Sequence, residues 1–417
     1  SMTNRALLLA ALSAGTVRVE GVLFSDDSRH FLACLVALGF TVEIEEEKKC
    51  VTVTGCGGRI PRGEAVIDVG SAGTAARFLA AMLGFSDGCY EIRCSAQMKR
   101  RPMAELFDLL SGAGAKITFL EEEGHLPVRI TGCRYARADK TAGETPRELS
   151  LDITKSTQFL SALLLIAPMV PEGMKIHITS EKTDGSYIRI TRKMMQEFGV
   201  SVAFDGRDYE VPCRSSYRKE TYMVEPDMSA ACYFYAAAAV TGGRALVRHV
   251  HMDNTQGDLR FLEVLEHMGC TADDTPEGIL VTGPADGALR GITVNMNDFS
   301  DQALTLAAIA PFADAPVRIE GIGHIRGQEC DRIHAIQTNL TALGIRCEEE
   351  ETAATIYPGS PHGGSVETYD DHRVAMAFSL VGLRTDGIVI ENPACCRKTF
   401  ENYFTVLSEL TGKKTEA

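Results

Sequence analysis

The feature that most constrains the fold of this chain is a unit that occurs six times along it. Each copy opens with a small or polar cluster followed by an Ala/Leu-rich helical run. The runs are TNRALLLAAL from Thr3, SAGTAARFLAAML from Ser71, KSTQFLSALLL from Lys155, DMSAACYFYAAAA from Asp227, SDQALTLAAIA from Ser300 and DDHRVAMAFSL from Asp370. Internal self-similarity indicates that one supersecondary element is repeated, so the sequence predicts a fold built from six copies of it.

The order of elements within the unit follows from its hydrophobic periodicity. After each helical run the pattern predicts a strand, then a second amphipathic helix, then two strands. In five of the six copies the second helix ends at a glycine that we expect in the left-handed cap position. These are Gly39, Gly114, Gly199, Gly269 and Gly344. The sixth copy ends at LTGKK, and the whole pattern predicts an α/β fold.

The length of the chain and one polar segment predict the domain organisation. A chain of 417 residues is long enough for two or three domains that need no disulfide staples. Between the third and fourth copies lies RSSYRKETYMVEP, a polar stretch with a proline, which is typical of a domain boundary. We therefore expect two domains, 1–225 and 226–417, with three copies of the unit in each.

Composition excludes several classes of function and location. The chain has 42 Lys+Arg against 56 Asp+Glu, a net charge of −14, so nucleic acid and anionic membranes would repel it. Its 13 cysteines form no CxxC pair, which leaves no evident disulfide framework or zinc site and favours a reducing cytoplasm. The longest apolar run, Phe159 to Val170, is too short to span a bilayer, and the N-terminus lacks the basic region of a signal peptide. P-loop, dinucleotide-binding and HExxH motifs are absent from the sequence.

The polar clusters at the six helix starts allow two interpretations. Any stable helix favours Ser, Thr, Asp or Asn at its N-cap. If the helix N-termini converged, however, their free N–H groups and dipoles would together form an anion site. Four cations stand next to turns or where we expect a helix to begin, and they favour the second interpretation. They are Arg101, Arg332, Arg373 and Lys398.

Two carboxylates in comparable positions are candidates for proton transfer. Asp301 stands at the start of the fifth helical run, and Glu329 lies in the loop RGQECDR. For Asp301 alone, the pattern favours an N-cap. Together with the cations, these residues predict a cytosolic enzyme that binds anionic small molecules in a cleft between two domains.

Eight motifs occur in order along nearly the whole chain: NRALLLAAL, SAGTAARFLAAM, MKRRPM, STQFLSALL, EPDMSAACYF, the DRI after Glu329, YDDHRVAM and KTFENYF. Together they resemble the motifs of the EPSP synthase (3-phosphoshikimate 1-carboxyvinyltransferase) family of enolpyruvyl transferases. The resemblance implies a two-domain α/β fold of six βαβαββ units, three per domain about a pseudo-threefold axis, with the active site in the inter-domain cleft. It also implies a monomer that uses no metal or organic cofactor.

The activity that the resemblance implies is transfer of the enolpyruvyl group of phosphoenolpyruvate to the 5-hydroxyl of shikimate 3-phosphate, with release of phosphate. The resemblance implies that shikimate 3-phosphate is bound by Ser1, Arg5, Ser156, Thr157, Gln158, Tyr187 and Asp301. It implies that phosphoenolpyruvate is bound by Gly73, Arg101, Arg332, Arg373 and Lys398. Asp301 would take the hydroxyl proton and Glu329 would move a proton at the methylene carbon. Lys398 would stand near the departing phosphate, and His372 would assist Glu329.

The chain departs from the family pattern at several positions. Gln328 stands where the family has a lysine that contacts the substrate carboxylate, His324 where it often has asparagine, and Asp184 where it has serine or arginine. Losing a charged hydrogen-bond partner costs about 1.5–3 kcal/mol, so we expect weaker shikimate 3-phosphate binding, with Arg326 as the replacement cation. The chain also starts at Ser1, after the lysine of the family's opening PGSK motif and the crossover strand before it. The resemblance therefore predicts impaired catalysis and one incomplete sheet edge.

Two alternative functions share the same fold. The UDP-N-acetylglucosamine enolpyruvyl transferases carry a cysteine five residues before the arginine of their RP motif. Here that position is Ala96, and Cys94 is two residues out of register. A catalytically silent member that only binds ligands is the second alternative, motivated by Gln328 and the missing lysine. Release of phosphate from the two substrates distinguishes an enzyme from a silent binder.

Overall fold

The structure is a computed structural model that describes residues 2–133, 145–285 and 287–413. The chain divides into two compact units, Ser1–Glu225 and Pro226–Ala417, and each has its own hydrophobic core. The division follows Glu225, where the polar segment between the third and fourth copies ends.

The first unit holds three copies of the repeat, and each copy forms a four-stranded sheet. The first copy comprises α1 (Met2–Leu12), β1 (Thr16–Glu20), α2 (Asp26–Ala37), β2 (Thr41–Glu45), β3 (Cys50–Thr54) and, from the end of the unit, β12 (Thr221–Met223). The second comprises β4 (Glu64–Asp68), α3 (Gly73–Gly84), β5 (Cys89–Arg93), α4 (Ala96–Lys99), α5 (Ala104–Gly112), β6 (Lys116–Phe119) and β7 (Val128–Thr131). The third comprises β8 (Arg147–Leu151), α6 (Thr157–Ile166), β9 (Met174–Ile178), α7 (Ser186–Glu197), β10 (Ala203–Phe204) and β11 (Asp208–Val211).

The strand orders of these three sheets are equivalent: β12-β1-β3-β2, β4-β5-β7-β6 and β8-β9-β11-β10. In each sheet the first two strands are parallel and the others are antiparallel. A parallel pair needs a crossover connection, and the helical run of the copy provides it within the second and third copies. The first copy differs because β12 arrives from the far end of the unit.

The second unit holds the other three copies. The fourth comprises α8 (Met228–Thr241), β13 (Arg244–Arg248), α9 (Phe261–His267), β14 (Thr271–Thr275) and β15 (Gly278–Thr282). The fifth comprises β16 (Thr293–Asn295), α10 (Ala303–Ile309), β17 (Val317–Glu320), α11 (Arg332–Ala342), β18 (Cys347–Glu349) and β19 (Ala354–Ile356). The sixth comprises β20 (Gly364–Val366), α12 (His372–Ser379), β21 (Ile388–Ile390) and α13 (Tyr403–Thr411). Within the described residues the sheets are β13-β15-β14, β16-β17-β19-β18 and β20-β21.

The Ala-rich helices that open the copies lie in the cores. Every residue of α1 and α3 is buried, and α10 is buried along its whole length. A helix whose surface is apolar on all sides is stable only when it is surrounded by protein, which explains this placement. The polar residues at the starts of these helices are consequently carried into the interior of each unit.

The glycine caps predicted from the sequence are confirmed. All five glycines have a positive φ, from +83° to +106°, which favours glycine. The residue after each one donates its N–H to a carbonyl in the last turn of the helix, as Phe40 does to Leu35 at 3.1 Å. Gly412, with φ +69°, ends α13 in the sixth copy. The α/β repeat fold predicted from the sequence is therefore present.

Among the described residues, no helix combines the length and the apolar character needed to cross a bilayer.

Candidate functional site

The second unit brings together three cations and three carboxylates, which we call the Arg332 cluster. It comprises Arg332, Arg373, Lys398, Asp301, Glu329 and Asp371. Arg332 is the first residue of α11, and its side chain is 1% exposed. Its Nε lies 2.8 Å from Asp371 Oδ2, and its Nη1 and Nη2 lie 2.9 Å from Asp301 and Glu329 respectively. One guanidinium therefore fixes three carboxylates.

Arg332 and Asp371 each stabilise the charged form of the other. Burial alone would lower the pKa of Arg332, but Asp371, Glu329 and Asp301 raise it above its usual value. Burial likewise works against the ionised form of Asp371, but Arg332 outweighs it and holds the pKa of that carboxyl below its usual value. Asp371 is fully buried and also caps α12, because it accepts a hydrogen bond from the Arg373 N–H at 2.9 Å.

Asp301 and Glu329 each bridge two cations. Asp301 Oδ1 binds Arg332 and its Oδ2 lies 3.1 Å from Arg373 Nη2. Glu329 Oε2 binds Arg332 and its Oε1 lies 2.8 Å from Lys398 Nζ. The N-cap interpretation of Asp301 is wrong, since Asp301 lies inside a 3₁₀ turn (300–302) and the N-cap of α10 is Gln302. Its carboxylate binds the two arginines of the cluster and does not cap the helix.

Lys398, a member of the cluster, and His372, which lies beside it, were both predicted from the sequence. Lys398 does not begin a helix, as the sequence pattern suggested, because it ends the 3₁₀ turn Pro393–Lys398 and precedes α13 by several residues. His372 is buried, and its Nδ1 is 3.5 Å from Asp371 Oδ1. Burial lowers the pKa of His372 to about 3, so its ring is neutral near pH 7.

Two residues that depart from the family pattern, Gln328 and His324, lie in the loop before Glu329. Gln328 directly follows the 3₁₀ turn Gly323–Gly327, and His324 Nε2 lies 2.8 Å from Ser300 Oγ. Arg326 is not the replacement cation that we expected. Its Nη1 lies 2.7 Å from Asp331, the N-cap of α11, and 2.8 Å from Glu349 at the end of β18, so both carboxylates neutralise its charge.

The first unit contains a second buried cation, Arg5, at the start of α1. Its Nε donates to Thr191 Oγ1 at 2.8 Å, and Thr191 in turn donates to the Tyr187 carbonyl at 2.8 Å. The guanidinium carbon lies 5.1 Å from the centre of the Phe78 ring and 5.6 Å from that of Tyr187. Burial lowers the pKa of Arg5 to about 10, which still leaves it charged at neutral pH. We call Arg5, Tyr187, Thr191 and Phe78 the Arg5 cluster.

Gly73, at the N-terminus of α3, is packed against two arginines. A Cβ at this position would come within 2.5 Å of Arg101 Nη1 and 2.7 Å of Arg77 Nη1. Arg101 and Arg77 are buried, and Arg77 also donates to the Gly73 carbonyl at 3.3 Å. The absence of a side chain at Gly73 thus lets two guanidinium groups approach one helix N-terminus.

The polar residues predicted at α6 occupy its first turn. Ser156 is the N-cap and accepts a hydrogen bond from the Gln158 N–H at 3.2 Å. Thr157 begins the helix, and its methyl group faces Gly185, before α7. The Gln158 Oε1 is buried and accepts no hydrogen bond within the described part of the chain. Ser1, which was predicted to bind the same ligand, lies outside the described residues.

Sequence reasoning missed several residues that hold these sites together. Asp371 is the buried counterion of Arg332, and Thr191 fixes Arg5. In the same region Asn4 Nδ2 donates to Thr74 Oγ1 at 2.8 Å and so joins α1 to α3. The position of Asp371 before a helix was visible in the motif DDHR. Thr191 and Thr74 gave no signal, because each is an ordinary threonine within a helix.

Comparison with known proteins identifies the family. The family model described as EPSP synthase (3-phosphoshikimate 1-carboxyvinyltransferase) matches residues 1–407. The 3-phosphoshikimate 1-carboxyvinyltransferase of Trichormus variabilis is 41% identical over 414 residues, which cover 99% of this chain and 95% of that protein. That of Sulfurovum sp. is 39% identical over 415 residues, covering 99% and 94%.

Solved structures agree with this fold. An EPSP synthase structure from Acinetobacter baumannii has a TM-score of 0.77 at 24% identity, covering 98% of this chain and 93% of that one. The enolpyruvyl transferase NikO from Streptomyces tendae has a TM-score of 0.72 at 17% identity, covering 98% and 92%. At these identities the structures establish the fold, and the sequence matches establish the family. The chain belongs to the EPSP synthase family.

Proposed function

We propose that this chain transfers the enolpyruvyl group of phosphoenolpyruvate to the 5-hydroxyl of shikimate 3-phosphate and releases phosphate. The observation that carries the proposal is the pair Asp301 and Glu329, two carboxylates fixed by one buried arginine in a chain that matches the family over residues 1–407. A reaction of addition followed by elimination needs a proton moved at two different atoms, and two separately placed carboxylates provide for that.

The cations assigned to phosphoenolpyruvate are Arg332, Arg373, Lys398 and Arg101. Arginine suits this substrate because its fork matches both carboxylate and phosphate oxygens. In the Arg332 cluster three positive charges balance three negative ones, so a bound anion must compete with Asp301 and Glu329 for its cations. We infer that substrate binding loosens these carboxylates from their partners and makes them available as bases.

The two proton transfers are assigned from the charged side chains that lie next to each carboxylate. Asp301, between Arg332 and Arg373, takes the proton of the 5-hydroxyl as its oxygen attacks C2 of phosphoenolpyruvate. Glu329, next to Lys398, moves the proton at the methylene carbon. Lys398 stabilises the phosphate as it leaves. His372 is neutral, so its part is to pack beside Asp371 and not to donate a proton.

Shikimate 3-phosphate is assigned to the first unit. The N–H groups at the start of α6, with the hydroxyls of Ser156 and Thr157, offer donors to its phosphate. The Gln158 Oε1 is buried and unused, so it is available to a substrate hydroxyl. Arg5, held over the Tyr187 ring, supplies the positive charge. Ser1 and Gln328 complete the proposed ligand set, and we place the enzyme in the cytoplasm as a monomer.

The test is release of inorganic phosphate from phosphoenolpyruvate and shikimate 3-phosphate by the chain with the family's PGSK segment placed before Ser1, which serves as wild type in the experiments below. We expect phosphate only when both substrates are present, and loss of that signal in Arg101→Ala and Glu329→Ala. The matched control is Glu348→Gln, an exposed carboxylate of β18 paired with Arg346, which should retain activity. A folded wild-type chain that releases no phosphate would contradict the proposal and favour a silent ligand-binding protein.

UDP-N-acetylglucosamine in place of shikimate 3-phosphate is the specificity control. Ala96 begins α4, and burial raises the pKa of the nearby Cys94 to about 11, which leaves its thiol protonated. We expect no phosphate release with the nucleotide sugar.

A further inference from the structure

A buried carboxylate behind the Arg332 cluster has no part in the mechanism described above. Asp258 lies in the 3₁₀ turn Gly257–Arg260 that precedes α9, and it is 5% exposed. It takes part in no ion pair among the described residues. A carboxylate buried without a counterion is costly, so its retention at this position calls for a physical reason.

The hydrogen-bond partner of Asp258 is the neighbour of Asp301 in the chain. Gln302 Nε2 donates to Asp258 Oδ1 at 2.7 Å and to the Ser229 carbonyl at 3.4 Å. Gln302 Oε1 accepts from Thr305 Oγ1 at 3.0 Å. The amide is therefore fixed at both ends and fully buried, and it sets the position of the 3₁₀ turn that carries Asp301.

Charged and titratable groups face Asp258 from each element packed around it. They are Asp301 from the 3₁₀ turn, Arg373 from α12, Asp227 at the N-cap of α8 and Cys232 within α8. Burial is the main cause that raises the pKa of Asp258, to about 6, and the charge of Asp301 raises it further. Coupling between two sites is reciprocal, so an ionised Asp258 makes Asp301 hold a proton more strongly.

We propose that Asp258 is a positioning residue for the proposed reaction, which orients Asp301 through Gln302 and by its negative charge makes Asp301 a stronger base. The inference rests on the proposed function, because it needs Asp301 to take the proton. Arg332 and Arg373 both favour the ionised form of Asp301, and Asp258 opposes them. A base held only by two arginines would be too weak to take a hydroxyl proton efficiently.

The experiment compares the pH profile of kcat for wild type, Asp258→Asn and Asp301→Asn. Asparagine keeps an oxygen that can accept from Gln302 but removes the charge. We expect the acid limb of kcat in Asp258→Asn to move to lower pH by about half a unit or more, with kcat reduced about three- to tenfold. Both KM values should change by less than about twofold, which a general loss of structure would not produce.

The control is Asp274→Asn, which removes a carboxylate of the same unit that binds His251 and the Met252 N–H. Its acid limb should match that of wild type. If Asp258→Asn does not fold, Gln302→Met is the second variant, because methionine has a side chain of similar length but cannot donate a hydrogen bond to Asp258. We expect its acid limb of kcat to move to lower pH as well. An unshifted acid limb in an active Asp258→Asn or Gln302→Met enzyme would overturn the inference. A wild type without turnover, or an Asp301→Asn variant with full kcat, would instead contradict the proposed function.

Discussion

Arg5 in the first unit and Arg332 in the second are equally buried, each 1% exposed, yet their surroundings differ in kind. Arg5 lies between a threonine hydroxyl and two aromatic rings, and burial lowers its pKa. Arg332 lies among three carboxylates, which raise its pKa in spite of the same burial. Carboxylates therefore outweigh the effect of burial on the pKa of Arg332, whereas burial dominates the pKa of Arg5.

The different surroundings of Arg5 and Arg332 suggest different roles for the two clusters, one in substrate binding and one in proton transfer. The negative charge of a bound anion stabilises an arginine whose pKa burial has lowered, so we expect the Arg5 cluster to hold a phosphorylated substrate. Arg332 already holds three carboxylates, so an incoming anion must compete with them, and we expect two of these carboxylates, Asp301 and Glu329, to act as the proton-transfer groups. We therefore expect the first unit to determine the affinity for shikimate 3-phosphate and the second unit to determine the rate of the reaction.

The largest expected effect is on turnover when a carboxylate of the second unit is neutralised. Glu329→Gln should lower kcat by about a thousandfold, because the amide cannot move the proton. The KM for shikimate 3-phosphate should stay near that of wild type. Initial-rate kinetics with both substrates check this, and a variant that loses affinity while keeping kcat would break the distinction between the two units.

Arg332→Met should cause the largest loss of stability. It leaves the fully buried Asp371 without its counterion, and breaking a buried pair from one side costs about 3–5 kcal/mol. Urea denaturation at pH 7 measures this. The matched variant is Arg5→Met, which we expect to change the free energy of unfolding by at most about 1 kcal/mol, since the Nε of Arg5 donates to a neutral hydroxyl, that of Thr191. Equal losses in the two variants would contradict the comparison.

Arg5→Met should instead affect binding. We expect the dissociation constant of shikimate 3-phosphate to rise by about 10- to 100-fold, the effect of losing a charged hydrogen bond of about 1.5–3 kcal/mol. Isothermal titration calorimetry measures it without requiring turnover. Unchanged affinity would exclude Arg5 from the shikimate 3-phosphate site.

A pH series should reveal the uncompensated carboxylate of the second unit. The pKa of Asp258 is about 6 in the folded chain, against an ordinary value of 3.8. A carboxyl whose pKa is raised by folding contributes stability that is fully present below pH 4 and is lost as the pH rises through 6. Asp258→Asn cannot ionise and does not lose stability in this way. The free energy of unfolding of the variant relative to wild type should therefore increase by about 2 kcal/mol between pH 4 and pH 7. A constant difference across the series would show that Asp258 is not perturbed.

Gly73→Ala should give the smallest effect. The added Cβ would displace the ends of Arg101 and Arg77 but no backbone atom. We expect the KM for phosphoenolpyruvate to rise several-fold, while the unfolding free energy changes by about 1 kcal/mol or less. Steady-state kinetics at saturating shikimate 3-phosphate check this prediction, and an unchanged KM would place phosphoenolpyruvate away from Gly73.

The sequence predicted the fold well because its signals are local. The five glycine caps and the alternating strands after them depend on backbone conformation within a few residues, and the structure has them at the predicted positions. The Ala-rich helices were equally evident, because a run such as TNRALLLAAL has no polar face to expose.

The site was predicted less completely because its contacts are not local. Asp301 taken alone favoured a helix cap, and only the fold brings it to Arg332, 31 positions away in the sequence. Arg326 was expected to face a substrate, but the carboxylates of Asp331 and Glu349 bind it. Asp258 and Gln302 gave no pattern at all, since a single buried hydrogen bond leaves no periodicity in a sequence.

The most direct test of the central claim is a ³¹P NMR record of the wild-type chain with phosphoenolpyruvate and shikimate 3-phosphate. We predict that the phosphoenolpyruvate signal declines while inorganic phosphate grows in equal amount, and that the shikimate 3-phosphate signal moves to that of a new phosphomonoester. A spectrum in which inorganic phosphate grows but the shikimate 3-phosphate signal stays unchanged, or in which nothing changes, would contradict the account.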